Sequence, residues 1–169
     1  ERRHWGHAVL ADRRIFGTAQ RTTASRTKPS RDLISADYNN NQAMVTGTHL
    51  FSAPLDGGRL GQGKWTHEGG TILNPTITLS GGRVFFVETT KPVSGSGRHS
   101  LDALREAGLQ IVCLDAETGG RLWARPVDNG LEQSRSILFL AASGEHLIAT
   151  GSHLGAGNDT AYRVHCYSA

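Results

Sequence analysis

Histidine and cysteine are the side chains of this sequence best suited to bind a metal or to act as nucleophiles. The chain has eight histidines and two cysteines. His4 and His7 are three residues apart outside any helical pattern, and the other histidines are spread over separate segments. Cys113 and Cys166 belong to no Cys-x-x-Cys pair, the spacing typical of zinc sites and of attached haem. The sequence therefore predicts no metal site.

The motifs of common catalytic and nucleotide-binding sites do not occur in the chain. There is no G-x-S-x-G elbow, which holds a catalytic serine on a strained turn in many hydrolases. There is also no P-loop and no G-x-G-x-x-G fingerprint for phosphate binding. We therefore predict no catalytic residue in this segment, and whether it belongs to an enzyme stays open.

Short strands are the elements that must position any site in this chain. It has 21 glycines but only 5 prolines, and turn signals separate short runs rich in β-branched and aromatic residues. The net charge is only +3, and the basic residues are scattered, whereas nucleic-acid binders concentrate them in a stripe. No apolar run approaches the about 20 residues of a transmembrane helix. We expect strands, no nucleic-acid partner and no transmembrane segment.

Two sequence phrases recur along the chain. The first is a hairpin of two short strands, and the second follows it and ends in tryptophan in two of its copies. The hairpins span 7–19, 76–88 and 137–152, and the second phrases span 49–65, 111–123 and 164–169. A repeated four-stranded antiparallel unit with glycine turns is typical of a β-propeller blade.

We therefore predict an all-β fold, namely a partial β-propeller with about three four-stranded blades. The blades are expected at approximately 1–68, 69–127 and 128–169, and the last lacks its fourth strand. Trp65 and Trp123 are 58 residues apart, which exceeds the roughly 40–45 residues of a plain blade. Insertions at 20–42 and 89–108 account for the excess. Because a propeller needs more blades than this, the remaining ones are expected outside the segment or in another chain.

The most complete copy of the second phrase is Leu114–Trp123 (LDAETGGRLW). It resembles the blade motif A-x-D-x-x-T-G-x-x-x-W of the bacterial quinoprotein-like (PQQ-like) β-propellers. The matching positions are Asp115, Thr118, Gly119 and Trp123. Alignment of the first copy on its glycine pair matches Trp65 with Trp123 and puts Ala53 in the place of Asp115.

The resemblance implies structural, blade-docking roles for these residues. The Asp and Thr side chains can hydrogen-bond backbone groups of the turn, and Gly119 can adopt a positive φ without steric cost. Trp65 and Trp123 are expected to pack between neighbouring blades, where loss of a fully buried indole costs about 3–5 kcal/mol. Cys113 and Cys166 lie at matching positions 53 residues apart, and we expect two free, buried thiols.

Each insertion joins the second strand of a blade to the third. Because connections between equivalent strands lie on the same face, both insertions are expected on one face of the predicted propeller. Quinoprotein-like propellers carry cofactor and substrate on this face. In the second insertion, Ser100 as N-cap and Gly108 as C-terminal stop predict a short helix. The first insertion carries four basic residues, Arg21, Arg26, Lys28 and Arg31, which fit either an anion or partner contact or a solvated loop.

Inner strands line the channel of a propeller, so their first residues are the candidates for cofactor or ligand binding. Trp5, Asn74 and Arg135 have side chains suited to stacking, to a carbonyl ligand and to an oxyanion contact. Neighbouring polar residues at these strand starts are His4, His7, Thr76 and Ser136. All of these residue types are also ordinary at the start of a strand, so the pattern equally allows a structural interpretation.

Taken together, the sequence favours a non-catalytic binding or scaffold segment of a larger bacterial extracytoplasmic protein, in the periplasm or cell envelope. A protein partner is expected on the insertion-bearing face, and no cofactor is predicted. The alternative is a fragment of a quinoprotein dehydrogenase that uses PQQ and calcium and passes electrons to a cytochrome. A sugar- or peptide-binding propeller of another lineage is a third interpretation. The dehydrogenase would need inward acidic ligands, and no pair of acidic residues stands at an inner-strand start here.

Overall fold

The computed structural model of the chain describes residues 3–21, 46–56, 59–60, 63–93, 101–127, 131, 139–154 and 160–169. These residues are mostly β-strand, which confirms the all-β prediction. The strands are β1 (Arg3–Ala11), β2 (Arg14–Arg21), β3 (Thr46–Asp56), β4 (Arg59–Leu60), β5 (Trp65–Ser80), β6 (Arg83–Thr89), β7 (Leu109–Asp115), β8 (Arg121–Pro126), β9 (Phe139–Ser143), β10 (His146–Leu154) and β11 (Thr160–Ser168). A short helix, α1 (Leu101–Glu106), precedes β7.

The strands form two antiparallel sheets. The larger has the order β1-β2-β3-β5-β6-β7-β8, with β4 paired to β3 alone, and the smaller has the order β11-β10-β9. Neither sheet closes on itself within the described residues. Tight turns with positive φ join β1 to β2 at Asp12-Arg13, β5 to β6 at Gly81-Gly82, and β9 to β10 at Gly144. Glycine accepts this conformation readily, whereas Asp12 and Arg13 hold it in the first turn against the usual preference of L-residues.

Backbone pairing divides the sheets into three equivalent units. The first unit contains β1, β2, β3 and the start of β5, the second contains the end of β5 with β6, β7 and β8, and the third contains β9, β10 and β11. The residue that opens the second strand pairs with the same position of the third strand in every unit: Arg14 with Pro54, Arg83 with Asp115, and His146 with Ser168. The second and third strands of the three units therefore pair in the same way.

The two repeat tryptophans occupy equivalent places in successive units. Trp65 pairs with Ser52, and Trp123 pairs with Cys113. The same register corrects the alignment on glycines, because Pro54 and not Ala53 lies at the position of Asp115. The turn after the third strand of the first unit contains the additional strand β4. The glycines of this turn therefore do not mark the register, which is set by the pairing of the strands.

The predicted blades at 1–68 and 69–127 require the fourth strand of the first unit and the first strand of the second to be separate. They form one continuous strand, β5. Its residues up to Leu73 pair with β3, whereas Ile72 and the residues after it pair with β6, across an irregularity between Leu73 and Thr78. The predicted boundary at 68/69 therefore falls inside a strand. We call residues 69–76 the crossing segment of β5.

A hydrophobic cluster joins the first unit to the second. It contains Phe16 and Leu50 of the first unit and Val84, Phe86, Val112 and Leu114 of the second. The large sheet therefore folds over at β5, so that its two halves pack face to face. Alternate residues of a strand point to opposite faces, which leaves the other face of the second unit for another contact.

A second cluster joins the second unit to the third. It contains Phe85, Ile111 and Cys113 of the second unit and Leu140, Leu147 and Ala149 of the third. We call the side of a unit that packs on the preceding unit its trailing face (Val84, Phe86, Val112 and Leu114 in the second unit). The opposite side is its leading face (Phe85, Ile111 and Cys113). The second unit is therefore buried on both faces.

Helix α1 confirms the helix predicted within the second insertion. Gly108 has a φ of +74° and ends the helix, as expected of a C-terminal glycine. The backbone N–H of Gly108 donates to the carbonyl of Arg105, and the hydroxyl of Thr90 donates to the carbonyl of Ala107. Leu104 buries its side chain in the cluster between the second and third units.

Candidate functional site

The crossing segment of β5 is held by side chains where the strand changes partners. The backbone N–H of Gly70 donates to Glu88 Oε2 (3.1 Å), and that of Thr71 donates to Thr89 Oγ1 (2.7 Å). Thr76 Oγ1 accepts from the N–H of Val87 (2.8 Å) and donates to the carbonyl of Leu73 (2.7 Å). Buried backbone groups need partners, and these hydroxyl and carboxylate groups replace the missing ladder bonds.

Described residues next to both insertions border this crossing segment. The first insertion ends at β3, whose Thr46 and Gly47 pair with Leu73 and Ile72. The second begins after Thr89, whose side chain accepts a hydrogen bond from the crossing segment. The described residues next to the two insertions thus meet at one short stretch of β5, and residues 22–42 of the first insertion lie outside the described residues. The expectation that both insertions lie on the same face stays a prediction.

Asn74 and Thr18 form a buried polar pair beside the crossing segment. Asn74 is 3% exposed and Thr18 is fully buried. Among the described residues, neither the amide atoms of Asn74 nor the hydroxyl of Thr18 has a hydrogen-bond partner. Both side chains fit there only because Gly6 and Gly47 lack a Cβ, which would come within 2.6 Å of Asn74 Nδ2 and 2.8 Å of Thr18 Cβ respectively.

Three strand irregularities meet at this pair. β1 is irregular between Trp5 and His7, β3 between Gly47 and His49, and β5 between Leu73 and Thr78. Bulges re-aim side chains and occur often beside binding sites, and a buried unpaired polar group calls for a specific explanation. The Asn74 amide can donate and accept, as can the Thr18 hydroxyl. Together they can hold a small neutral polar group but offer no acid or base.

The structure describes only some of the other residues predicted at the starts of the inner strands. The backbone of Trp5 in β1 pairs with that of Ala19 in β2, and the residue after Trp5 is Gly6, which lies against Asn74. The side chains of Trp5 and His4 lie outside the described residues. Arg135 and Ser136 also lie outside the described residues, together with the basic residues Arg26, Lys28 and Arg31. Thr76 serves the backbone of β5 and β6. The structure thus brings the Trp5 segment close to Asn74 and leaves Arg135 as a prediction.

Glu88 and His67 form a second buried polar group that the sequence analysis did not single out. Glu88 is 2% exposed, and its carboxylate contacts His67 Nε2 at 3.0 Å and accepts from Gln110 Nε2 at 3.1 Å. It also accepts from the N–H of Gly70. Both carboxylate oxygens are engaged, so this group fixes the crossing segment. The signal that could have revealed it is an acidic residue inside the apolar run VFFVE.

The repeat motif forms the contact between the first and second units. The indole of Trp65, in the first unit, donates from Nε1 to the carbonyl of Ala116 in the second (3.1 Å). A Cβ on Gly119 would lie 2.5 Å from the Trp65 ring, so the indole lies directly on this glycine. Both repeat indoles are half-buried, so the loss of one should cost less than the about 3–5 kcal/mol of a fully buried tryptophan.

Asp115 and Thr118 shape the turn that receives the Trp65 indole. Asp115 Oδ1 accepts from the N–H of Glu117 (3.1 Å), from the N–H of Thr118 (2.7 Å) and from the Thr118 hydroxyl (2.8 Å). These hydrogen bonds, those from Thr118 above all, lower the pKa of Asp115 below its ordinary value. Gly119 has a φ of +74°, as expected. The turn is therefore locked by its own side chains.

At the opposite end of the strands, a groove of about 410 Å³ lies between the tight turns of the first two units. Its charged lining residues are Asp12, Arg13, Arg14, Asp56, Asp115 and Glu117. Arg14 donates to Ser52 Oγ and to the carbonyl of Gly63, each at 3.0 Å. Opposite charges are mixed along the groove and several of them already bind neighbours, so it carries no single ligand preference.

The two cysteines differ in their surroundings. Both are free, but Cys113 is buried whereas Cys166 is exposed, so the expectation of two buried thiols was half wrong. Burial raises the pKa of the Cys113 thiol, which suppresses its reactive thiolate form. Cys166 lies on the leading face of the third unit, which none of the described residues covers at this position.

Among the residues that the structure describes, no three His, Cys, Asp or Glu side chains gather to hold a metal ion. None of the described helices is long and apolar enough to cross a membrane. No protein-family model, curated protein or solved structure matches the chain. The contacts between the three units and the buried pair of Asn74 and Thr18 are therefore the features on which a functional hypothesis must rest.

Proposed function

We propose that the chain is a run of three units of a quinoprotein-like β-propeller and acts as a binding or scaffold segment of a larger protein or complex. The observation that carries the proposal is the Trp65 indole, which lies on Gly119 of the next unit and donates to the carbonyl of Ala116. The equivalent registers of Trp65 and Trp123 support it, as does the sequential packing of leading on trailing faces.

The side of the units that carries the insertions is the proposed binding side. Described residues next to both insertions border the crossing segment of β5. There Asn74 and Thr18 have polar atoms with no hydrogen-bond partner among the described residues. A rigid sheet scaffold with long connections on one side is a common arrangement for binding, because loops vary while strands hold them in place. We propose a protein partner on this side, in the bacterial periplasm or cell envelope.

A loop replacement tests this binding role. Residues 24–42 are exchanged for a Gly-Ser linker of equal length, and the variant and wild-type chains are immobilised and exposed to a bacterial envelope extract. A matched variant carries Gly81→Asn in the tight turn at the opposite end, where no atom lies within 4 Å of the added Cβ and where asparagine tolerates the positive φ of +57°. Mass spectrometry should identify a protein that the wild type and Gly81→Asn retain and the loop variant loses. Identical retention by all three would refute binding through this side.

A quinone-dependent dehydrogenase is the second candidate, and the unpaired Oδ1 of Asn74 is the observation in its favour, since amide oxygens ligate calcium. Calcium takes about 6–8 oxygen ligands, and the described residues beside Asn74 add only the Thr18 hydroxyl. They do not form a calcium site by themselves. The absorbance of the native protein at wavelengths longer than the protein band decides between the candidates, because a bound quinone absorbs there. Colourless protein that is indifferent to calcium would support the scaffold.

A further inference from the structure

The contact between the first and second units contains a buried carboxylate. Glu88 lies on the trailing face of the second unit, is 2% exposed and pairs across the strands with Gln110. Its oxygens accept from the N–H of Gly70 and from Gln110 Nε2, and one of them lies 3.0 Å from His67 Nε2. The carboxylate is therefore held between a group of the first unit and a neutral amide of the second.

The corresponding place in the third unit has no side chain and different neighbours. Register makes Gly151 the counterpart of Glu88, and the residue that pairs with Gly151 is Arg163. In the second unit, the counterpart of His67 is Arg125. The carboxylate is thus replaced by glycine, and the two places that flank it hold arginines.

Two histidines of the third unit lie on the same face as this glycine. His153 is two residues from Gly151 on β10, and His165 is two residues from Arg163 on β11. Alternate residues of a strand share a face, and each of these histidines pairs with an alanine across the strands. Diagonal neighbours across a strand pair lie about 7–8 Å apart, within reach of long side chains. Basic side chains therefore surround Gly151.

Helix α1 of the second insertion contributes a further basic residue. Burial lowers the pKa of His153, and the charges of three basic neighbours lower it further, namely Arg163, Arg105 and His165. Arg105 follows Leu104, which is buried between the second and third units. Among the described residues, each charge that acts on His153 is thus basic, and His153 Nε2 is buried without a hydrogen-bond partner. Like charges repel at close range, and a bound anion would offset this repulsion.

We infer that the basic cluster of Arg105, His153, Arg163 and His165 binds a carboxylate group, supplied by an aspartate or glutamate of the protein partner. The inference rests on the proposed function and names the chemistry of the partner's contact, since α1 belongs to an insertion of the proposed binding side. Glu88 is the precedent, because it fills the equivalent place in the second unit with a carboxylate. Arg163 is exposed, and a guanidinium group can bind a carboxylate with two parallel hydrogen bonds.

Nuclear magnetic resonance of the His153 ring, whose signals a His153→Asn variant identifies, tests the site on the chain itself. The probe is the peptide acetyl-Gly-Glu-Gly-amide, and acetyl-Gly-Gln-Gly-amide is the neutral control. The glutamate peptide should shift the ring signals and raise the pKa of His153, because a nearby anion favours the charged imidazolium. The glutamine peptide should do neither. A glutamate peptide without effect would overturn the inference, and so would inorganic phosphate that binds more tightly than the glutamate peptide.

Two substitutions at the site are compared with one elsewhere. Arg163→Gln introduces the residue type of the second unit and should weaken binding of the glutamate peptide at least about tenfold. Gly151→Glu supplies the carboxylate from the chain itself and should abolish binding. Arg121→Gln is the matched control, because Arg121 is exposed at the opposite end of the strands, where β8 begins. Equal binding by Arg163→Gln and Arg121→Gln would contradict the inference.

Retention of a protein from the envelope extract separates this inference from the proposed function. The wild type and Arg121→Gln should retain a partner that Arg163→Gln loses. Equal retention by all three chains would overturn the inference and leave the proposed binding role intact. A chain that binds the glutamate peptide but retains no protein would refute the proposed partner and not the carboxylate site.

Discussion

Single residues of the repeat motif act through local hydrogen bonds that need no neighbour outside their turn. Asp115 gathers three donors on one carboxylate oxygen, and Thr118 Oγ1 accepts from the N–H of Gly120 (3.2 Å). This arrangement fixes the backbone that meets the Trp65 indole. The motif is therefore a device for shaping a turn, and its link to other units passes through the carbonyl of Ala116 and the open surface of Gly119.

Replacement of Asp115 by asparagine should alter how stability depends on pH. The folded-state pKa of Asp115 lies below its ordinary value of 3.8 because Thr118 and Glu117 donate to the charged form. Its contribution is therefore complete above the unfolded pKa and is lost as pH falls through the folded one. Asp115→Asn should lower the urea midpoint at pH 7, and the difference from the wild type should shrink below about pH 4.

The control for this substitution is Glu117→Gln, which removes a charge from the same turn but leaves the acceptor of the three hydrogen bonds. Its urea midpoint at pH 7 should stay close to that of the wild type. If the two variants proved equally stable at every pH, the hydrogen bonds to Asp115 would have no role in holding the turn.

At the scale of elements, β5 determines how the first two units are joined. Its crossing segment leaves β3 for β6 and passes so close to β6 that a Cβ on Gly70 would collide with the carbonyl of Thr89. Glycine is needed here for close approach of two backbones and not for its φ. Hydrogen bonds to the side chains of Glu88 and Thr89, and one from the Thr76 hydroxyl to the carbonyl of Leu73, then satisfy the backbone of the segment.

Gly70→Ala should therefore destabilise the chain strongly. The obstructing atom belongs to backbone, which cannot rotate away, so we expect a loss of about 3 kcal/mol in the free energy of unfolding. Gly120→Ala is the matched control, since its nearest neighbour is the Thr118 hydroxyl at 3.3 Å, and should cost less than about 1 kcal/mol. Denaturant unfolding monitored by circular dichroism measures both. Equal costs would mean that β5 does not approach β6 as described.

At the scale of the whole molecule, the units are joined by face-to-face packing and by the Trp65 contact. The second unit buries Val84, Phe86 and Val112 on one face and Phe85 and Ile111 on the other. Each unit thus completes the core of its neighbour, as is usual in repeat architectures. The energetic weight of the Trp65 contact can be measured across the first and second units.

Gly119→Ala and Gly144→Ala form a matched pair for that measurement. Both glycines have positive φ, but a Cβ would meet the Trp65 ring at Gly119 and nothing within 4 Å at Gly144. Gly144→Ala should cost about 1–2 kcal/mol from backbone conformation alone, and Gly119→Ala about 2–4 kcal/mol because overpacking is added.

In a Trp65→Ala background, the cost of Gly119→Ala should fall to that of Gly144→Ala, whereas the cost of Gly144→Ala should not change. Thermal and urea unfolding of the single and double variants give this coupling energy. Additive effects of Trp65→Ala and Gly119→Ala would mean that the indole does not lie on the glycine, and the proposed docking of successive units would fall with it.

The sequence by itself determined features that depend on near neighbours along the chain. Strand alternation and turn residues indicated an all-β chain, the motif indicated the turn at Asp115, and Gly108 marked the end of the helix. Hydrogen bonds and dihedral preferences within a few residues decide each of these. The equivalence of Trp65 and Trp123 was also readable, because a repeated phrase forms the same local unit each time.

Tertiary structure alone decided the features that join distant residues. The continuity of β5, the correction from Ala53 to Pro54 and the different burial of Cys113 and Cys166 all depend on which strand or unit lies alongside. The meeting of Asn74 with Thr18 depends on two glycines from two other strands, Gly6 and Gly47. No spacing in the sequence encodes these contacts, because strand register and face-to-face packing are set by pairing between segments far apart in the chain.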